Sequence, residues 1–196
     1  MDATGIESQL DIVELTPARW ADLETLFGRS GASGGCWCMW WRVPNKDYDR
    51  GEGNKAAFHA ITEELCARGQ TPGLLAYADG LPVGWISLGP RQAFRRFDAM
   101  RSDVFKRVDD KPVWSVVCFY INRKWRNKGV AGALLARAID YARSAGAELL
   151  EAYPVDVSAE AATGNLFMGT QSLFAQAGFV EVARRHPARP IVRLAL

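Results

Sequence analysis

The chain is poor in the residues that build metal centres. Its two histidines, His59 and His186, are isolated, and of its four cysteines only Cys36 and Cys38 lie near one another. Two thiols one residue apart, with no second Cys/His pair, cannot close a tetrahedral zinc site by themselves, so no metal is expected. A long apolar run is missing too. Neither a signal peptide nor a membrane span is visible, and the expected setting is reducing and cytoplasmic. The formal net charge of +2 lends no support to a large nucleic-acid footprint, which shows as a strongly basic face. No repeat or low-complexity segment interrupts the sequence.

What remains is ordinary globular material, 48% hydrophobic and 23% charged, at 196 residues long enough for one sizeable core. A single domain over residues 1–196 is expected. Its organising stretch runs from Val113 to Gly132. Val113 to Ile121 is apolar on both alternating faces, Ser115 apart, which is how a central strand covered by two layers reads. A basic turn follows from Asn122 to Lys128. Gly129-Val130-Ala131-Gly132 then opens a helix with Val130, Leu134, Leu135, Ala138, Ile139 and Ala142 on its apolar side. Small residues at a helix start let an anion approach unpaired backbone N–H groups, where the helix dipole favours negative charge.

Spacing selects among the owners of such a turn. The pattern G-x-G-x-x-G is absent because Gly129 and Gly132 lack a third glycine in register, and no G-x-x-x-x-G-K-[ST] occurs. Arg126-x-x-Gly129-x-Ala131 resembles the Q/R-x-x-G-x-G/A signature of the GNAT superfamily of acyl-CoA-dependent N-acetyltransferases. Phe119-Tyr120-Ile121 resembles that family's fourth strand, Val83-Gly84-Trp85-Ile86 its third, and Ala177-Gly178-Phe179 the Gly-Phe after its fourth helix. The resemblance covers Val83 to Val192. It implies an α/β (α+β) fold: a mixed, mostly antiparallel sheet of six to seven strands with splayed parallel central strands, flanked by about four helices.

In order, Met1 to Gln9 reads as a frayed start, and Leu10 to Leu15 alternates as a strand. Thr16 is suited to cap a helix with Pro17 at its first position, ending near Gly28. Arg29 to Gly53 is irregular and carries Trp37, Trp40 and Trp41, too much apolar area for a solvated loop. These indoles either plug one end of the core or wall an acceptor pocket, and the resemblance favours the pocket. Asn54 is expected to cap a second helix ending at Gly69, with Phe58, Ile61 and Leu65 inward. Gly73 to Ala78 and Pro82 to Leu88 form a hairpin through Asp79-Gly80. Arg91, Arg95 and Arg96 occupy a loop, either as a solvated basic face or as help in binding CoA phosphates or an acidic acceptor. A short helix is expected over Asp98 to Val108. After the long helix, capped by Gly146, a strand runs from Ala147 to Val155 but should lose its pairing at Tyr153-Pro154, since proline has no N–H to donate. A loop from Asp156 to Gly164, a helix from Leu166 to Ala177 with Leu166, Leu173 and Phe174 buried, and strands Phe179 to Arg185 and Ile191 to Leu196 complete the plan.

The resemblance implies that acetyl-CoA, as acyl donor, meets Arg126, Asn127, Lys128, Gly129, Val130, Ala131 and Gly132 through its phosphates. Its pantetheine arm would meet the backbone of Phe119, Tyr120 and Ile121, with Phe174 nearby. Transfer to an amine needs loss of an ammonium proton, since an alkylamine has a pKa of about 10.4, and a donor for the carbonyl oxygen. No carboxylate lies between Val113 and Ile121. Glu151 and Tyr153 share a face of the next strand by its period of two and are the relay candidates. The alternatives are that Glu151 pairs with a surface arginine and Tyr153 packs. Where the family usually has a tyrosine acid, this chain has Phe174; its usual asparagine and alanine are replaced by Phe167 and Thr170. Ser172 or Tyr120 stand in as donors. Acetyl transfer to a small primary amine is expected, against a non-catalytic acyl-CoA-binding module or a protein lysine acetyltransferase. No nucleic-acid or membrane partner is expected, and a homodimer is left open.

Overall fold

The computed structural model describes residues 10–160 and 166–196; the expected frayed start and part of the loop before Leu166 lie outside them. One seven-stranded sheet organises the chain, in the order β1-β2-β3-β4-β5-β7-β6. The strands are β1 (Leu10–Glu14), β2 (Gly73–Ala78), β3 (Leu81–Pro90), β4 (Trp114–Ile121), β5 (Leu149–Ala152), β6 (Val180–Arg184) and β7 (Pro190–Ala195). All neighbours are antiparallel except β4 and β5. This is the mixed α/β architecture the resemblance implies. The β2–β3 turn forms as its sequence dictates, with Asp79 at φ 49° and Gly80 at φ 73°, the left-handed pair that a tight hairpin requires.

The helices are α1 (Trp20–Phe27), α2 (Glu52–Cys66), α3 (Arg96–Ala99), α4 (Val130–Ser144) and α5 (Gln171–Gln176). Alternation along β2 divides the core into two layers. Leu74 and Ala76 pack with Val116, Leu134, Leu135 and Leu150 on the α4 side, while Leu75 joins Leu23, Phe27, Phe58 and Trp85 under α1 and α2. Gly84 of β3 lets α4 come close, since a Cβ there would lie 2.8 Å from Val130 Cγ1 and 3.0 Å from Leu134 Cδ1.

Several expected boundaries move. Pro17–Arg19 forms a 3-10 turn before α1, and the Thr16 side chain makes no capping bond. Asn54 lies inside α2, where its amide donates to the Gly35 carbonyl at 3.0 Å instead of capping the helix. The short helix over Asp98 to Val108 is instead α3 followed by a 3-10 turn at Asp103–Phe105. The helix from Leu166 to Ala177 is also divided. Gly169, at φ 79°, separates a 3-10 turn at Leu166–Met168 from α5, so Phe174 is buried but Leu166 is 48% exposed.

The feature that positions the site lies between β4 and β5. Their parallel pairing covers Trp114, Ser115 and Val116 against Leu150, Glu151 and Ala152, and stops there. Beyond Tyr153-Pro154 the chain turns away: Val155 N–H donates to the Gly169 carbonyl at 2.9 Å and its carbonyl accepts from Gln171 N–H at 2.9 Å. At the same level β4 carries a bulge, since Ser87 pairs with Cys118 but Leu88 with Val116, leaving Val117 as the extra residue. Val116 and Phe119 consequently face α4, whereas Val117 and Cys118 both pack toward the opposite layer.

Gly84→Ala tests the α4 contact. The added methyl forces Val130 and Leu134 aside, and a loss of about 1–3 kcal/mol is expected from the midpoint shift in urea unfolding, with m unchanged.

Candidate active site

The sequence between β4 and α4 folds into an anion cradle. Asn122 accepts from Lys124 N–H at 3.1 Å to start a 3-10 turn at Arg123–Trp125, and Arg126 returns its Nε–H to the Ile121 carbonyl at 3.2 Å. Asn127 at φ 57° and Gly129 at φ 80° then swing the chain into α4. No side chain caps that helix, so its first N–H groups point outward without an intrahelical partner. Arg123, Lys124, Arg126 and Lys128 are exposed around it, and among the described residues none of the four is in an ion pair. Four unpaired cations beside an uncapped fifteen-residue helix favour an anion there. Ala131 and Gly132 are half-buried in the first turn, and a Cβ at Gly132 would meet nothing.

From this cradle the open edge of β4 runs back through Ile121, Tyr120 and Phe119 to the bulge; no described strand pairs with it on the β5 side beyond Val116. Phe119 meets Phe174 edge-on at 6.1 Å, and Phe174 meets Phe179 at 5.0 Å. Phe174 therefore fills its position with an apolar ring and supplies no hydroxyl. On the opposite face Tyr120 packs edge-on against Phe27 at 5.4 Å.

The three expected acceptor indoles part company. Trp37 is buried against Trp20 and Phe27. Trp41 is buried in a separate cluster, stacked on Phe97 at 4.5 Å. Trp40 alone stays half-buried, between Tyr48 at 5.3 Å and the Arg96 guanidinium at 3.9 Å. The cause is local: Trp37 at φ 45° and Cys38 at φ 55° are both left-handed, so successive side chains diverge. One continuous wall of three tryptophans is thus not formed. Of the three arginines in the loop only Arg95 is exposed. Arg91 and Arg96 are buried, Arg96 donating to Trp40 O and Asn45 Oδ1 and Arg91 lying 4.8 Å from the Phe97 ring.

Glu151 and Tyr153 do meet, as their shared strand face predicts. The phenol donates to Glu151 Oε1 while it contacts Ser115 Oγ at 3.2 Å and accepts from Arg91 Nη1 at 3.1 Å. Glu151 Oε2 accepts from Arg193 Nε at 2.8 Å, and Arg193 forks onto Asp109 at 2.7 and 3.0 Å. Tyr153 is 0% and Glu151 1% exposed. Burial first, then the neighbouring carboxylate, pushes the phenol well above its ordinary pKa. With every side-chain oxygen engaged, the pair forms a buried brace across the base of the β4–β5 wedge, not an open proton relay. Ser172 is apart from it, exposed on the first turn of α5 with its hydroxyl 3.1 Å from that of Thr170.

The family model of the GNAT acetyltransferases matches residues 37–169. The chain belongs to the GNAT family of acetyltransferases. No curated protein is significantly similar in sequence, but solved structures share the fold at low identity. The yncA structure from Salmonella typhimurium, solved with acetyl-CoA, is 19% identical, with 96% of this chain and 94% of that one covered at a TM-score of 0.57. A ribosomal-protein-alanine N-acetyltransferase from Brucella melitensis is 19% identical over 95% and 99%, also at 0.57. An agmatine N-acetyltransferase mutant in its apo form is 11% identical over 96% and 100%, at 0.58.

This GNAT acetyltransferase is therefore acetyl-CoA-dependent by family, and its signature residues lie on the cradle described above. Among its described residues no three His, Cys, Asp or Glu side chains are arranged to hold a metal ion, and no helix is long and apolar enough to cross a membrane. The sequence carries no sign of Arg91, Ser115 and Arg193 as partners of Glu151 and Tyr153, nor of Asp109 behind Arg193. Nothing local signals them, because the network joins positions up to 84 residues apart.

Tyr153→Phe tests the brace. Leaving Glu151 Oε1 and Arg91 Nη1 short of a partner should cost about 1–3 kcal/mol of stability, seen by denaturant titration. The pH profile of acetyl transfer should keep its wild-type shape, whereas a proton relay through the phenol would shift one limb.

Proposed function

We propose that the chain, acting as one domain over residues 1–196, moves an acetyl group from acetyl-CoA to the primary amine of a small molecule by direct transfer. The observation that carries this is the uncapped N-terminus of α4, ringed by unpaired cations, at the end of a strand whose edge is open from the bulge onward. In this reading Arg126, Asn127, Lys128, Gly129, Val130, Ala131 and Gly132 hold the phosphates. The backbone of Phe119, Tyr120 and Ile121 pairs with the pantetheine arm, and a β4 N–H stabilises the carbonyl oxygen as it gains charge. Phe174 supplies an apolar side to the same channel. Acetyl-CoA brings the activated acyl thioester.

The chain's own groups then orient the acceptor and exclude bulk water. Trp40, half-buried beside Tyr48 and Arg96, is assigned to the acceptor side; Trp37 and Trp41 support it from within the core. Glu151 and Tyr153 act by bracing the strands at the base of the wedge. Because β4 carries no carboxylate, the acceptor's proton is assigned to water, and Ser172 to the departing thiolate. A thiol pKa of about 8.5 makes that thiolate a tolerable leaving group even before it is protonated. The agmatine enzyme of similar fold acts on a small amine by its name, which supports this acceptor class. The second reading, a module that binds acyl-CoA without turnover, draws on Phe174, whose ring occupies the usual place of a tyrosine acid.

Isothermal titration with CoA and acetyl-CoA, on the wild type and on Gly129→Glu, tests both. Binding should weaken at least tenfold in the variant, about 1.4 kcal/mol or more, with a thermal melt to show that it remains folded. A thiol-release assay over an amine panel should then show turnover for one class of amine. Binding without turnover across the panel would select the second reading, and absence of binding by the wild type would overturn both.

A further inference from the structure

The acceptor-side layer holds a group of thiols that the acetyl-transfer reading does not use. Cys38 is buried, and its Sγ accepts from Trp85 Nε1–H at 3.0 Å. Cys118, on the bulge of β4, packs against the same cluster, its thiol donating to the Phe119 carbonyl at 3.7 Å. The Arg42 guanidinium reaches this face of the sheet, since the Ser87 hydroxyl it bonds at 3.4 Å belongs to the residue paired with Cys118 and two positions from Trp85. Arg42 is itself buried, sandwiched at 5.4 Å from the Phe58 ring and 4.9 Å from the Phe94 ring. Its Nη2 donates to Pro72 O at 3.3 Å and Ser87 Oγ at 3.4 Å, while Nε finds no acceptor.

No carboxylate among the described residues pairs with Arg42. A guanidinium buried without a counter-charge is costly, and a thiolate on the face it shares with Ser87 and Cys118 would supply that charge. Two further features concentrate that charge on Cys38. The left-handed backbone at Trp37 and Cys38, an arrangement that side-chain-bearing residues adopt at an energetic cost, aims Cys38 at the Trp85 N–H. The neighbouring Cys118 thiol, then the Trp85 N–H and Arg42, hold the Cys38 thiol below its ordinary pKa against the effect of burial, while Cys38 and then burial drive Cys118 well above its own. Cys36 is different. Burial first, then the neighbouring Cys38, raises it.

We propose that Cys38 and Cys118 form a peroxide-reactive pair, Cys38 the attacking thiolate and Cys118 the resolving thiol, that closes to a disulfide between the tryptophan-rich segment and β4. The Cys38 thiolate attacks one peroxide oxygen; the O–O bond breaks, hydroxide leaves and takes up a proton as water, and Cys38 becomes a sulfenic acid. Cys118 sulfur then displaces that hydroxyl, which departs as a second water with the Cys118 proton, and the S–S bond forms. Two thiols lose two electrons and one peroxide gains them. The S–S bond, about 2.0 Å long, would join two side chains that already pack into one cluster. Cys118 is the partly exposed member and so the side from which a water-sized oxidant enters. The bond would fasten the acceptor-side segment to the residue beside Phe119, and a dithiol would release it.

Treating the folded protein with hydrogen peroxide and titrating thiols after denaturation should lower the count from four to two. A non-reducing peptide map should find Cys38 joined to Cys118. Cys66→Ser should still lose two thiols. Cys118→Ser should leave Cys38 as a sulfenic acid that a cyclic 1,3-diketone traps. A Cys36–Cys38 link, four surviving thiols, or diketone labelling confined to Cys118 in the wild type would overturn the proposal. If the serine variants do not fold, the wild-type peptide map decides by itself.

Discussion

Everything at the site depends on where β4 and β5 stop pairing. Backbone N–H and C=O groups must find partners, and a parallel ladder satisfies them only while both strands keep their register. Here β5 leaves at Tyr153-Pro154 and takes its next hydrogen bonds from Gly169 and Gln171, while β4 bulges at Val117. The two events fall at the same level of the sheet. The remaining edge of β4 is left facing a wedge, and its unpaired groups suit an extended, amide-bearing ligand.

The parting is held at its base by polar groups that cannot be released cheaply. Glu151, Tyr153, Ser115, Arg91 and Arg193 bond to one another in a buried cluster, and Arg193 reaches out to the exposed Asp109. Low local dielectric strengthens each bond and raises the cost of removing any one partner. The long segment between β3 and β4 joins the same brace, since Arg91 and Asp109 both come from its ends. At the far end of β4 the electrostatics are reversed. There the cations are exposed and unpaired, and the helix dipole adds to them, so the site attracts an anion at little desolvation cost. One strand thus links a closed, satisfied network to an open, unsatisfied one.

The layer under α1 and α2 follows a third logic. Its aromatic side chains supply area, but the left-handed turn at Trp37 and Cys38 distributes them: one indole to the α1–α2 core, one to the Phe97 cluster, and one to the half-buried boundary. The same turn brings Cys38 beneath Trp85 and beside Cys118. Backbone strain here is linked to chemistry because it places a thiol under the Trp85 N–H, in the cluster against which Cys118 packs.

Local rules were enough for much of the fold. Period-two alternation gave β2 and β4, Asp79-Gly80 gave the hairpin, the apolar spacing from Val130 gave α4, and the Arg126 to Gly132 pattern gave the cradle. Each depends on residues that are neighbours along the chain, so each is written in contiguous sequence. The bulge at Val117, the break at Gly169 and the shift of Asn54 into α2 were not legible, because each is decided by what another element presents to it. The partners of Glu151 and Tyr153, the dispersal of Trp37, Trp40 and Trp41, and the meeting of Cys38 with Cys118 and Arg42 likewise required the tertiary structure. By itself the sequence determined the family, the central strand and the glycine turn that opens α4. Only folding decided which buried charges and thiols face one another, since those contacts join residues that strand pairing and helix packing bring together from distant parts of the chain.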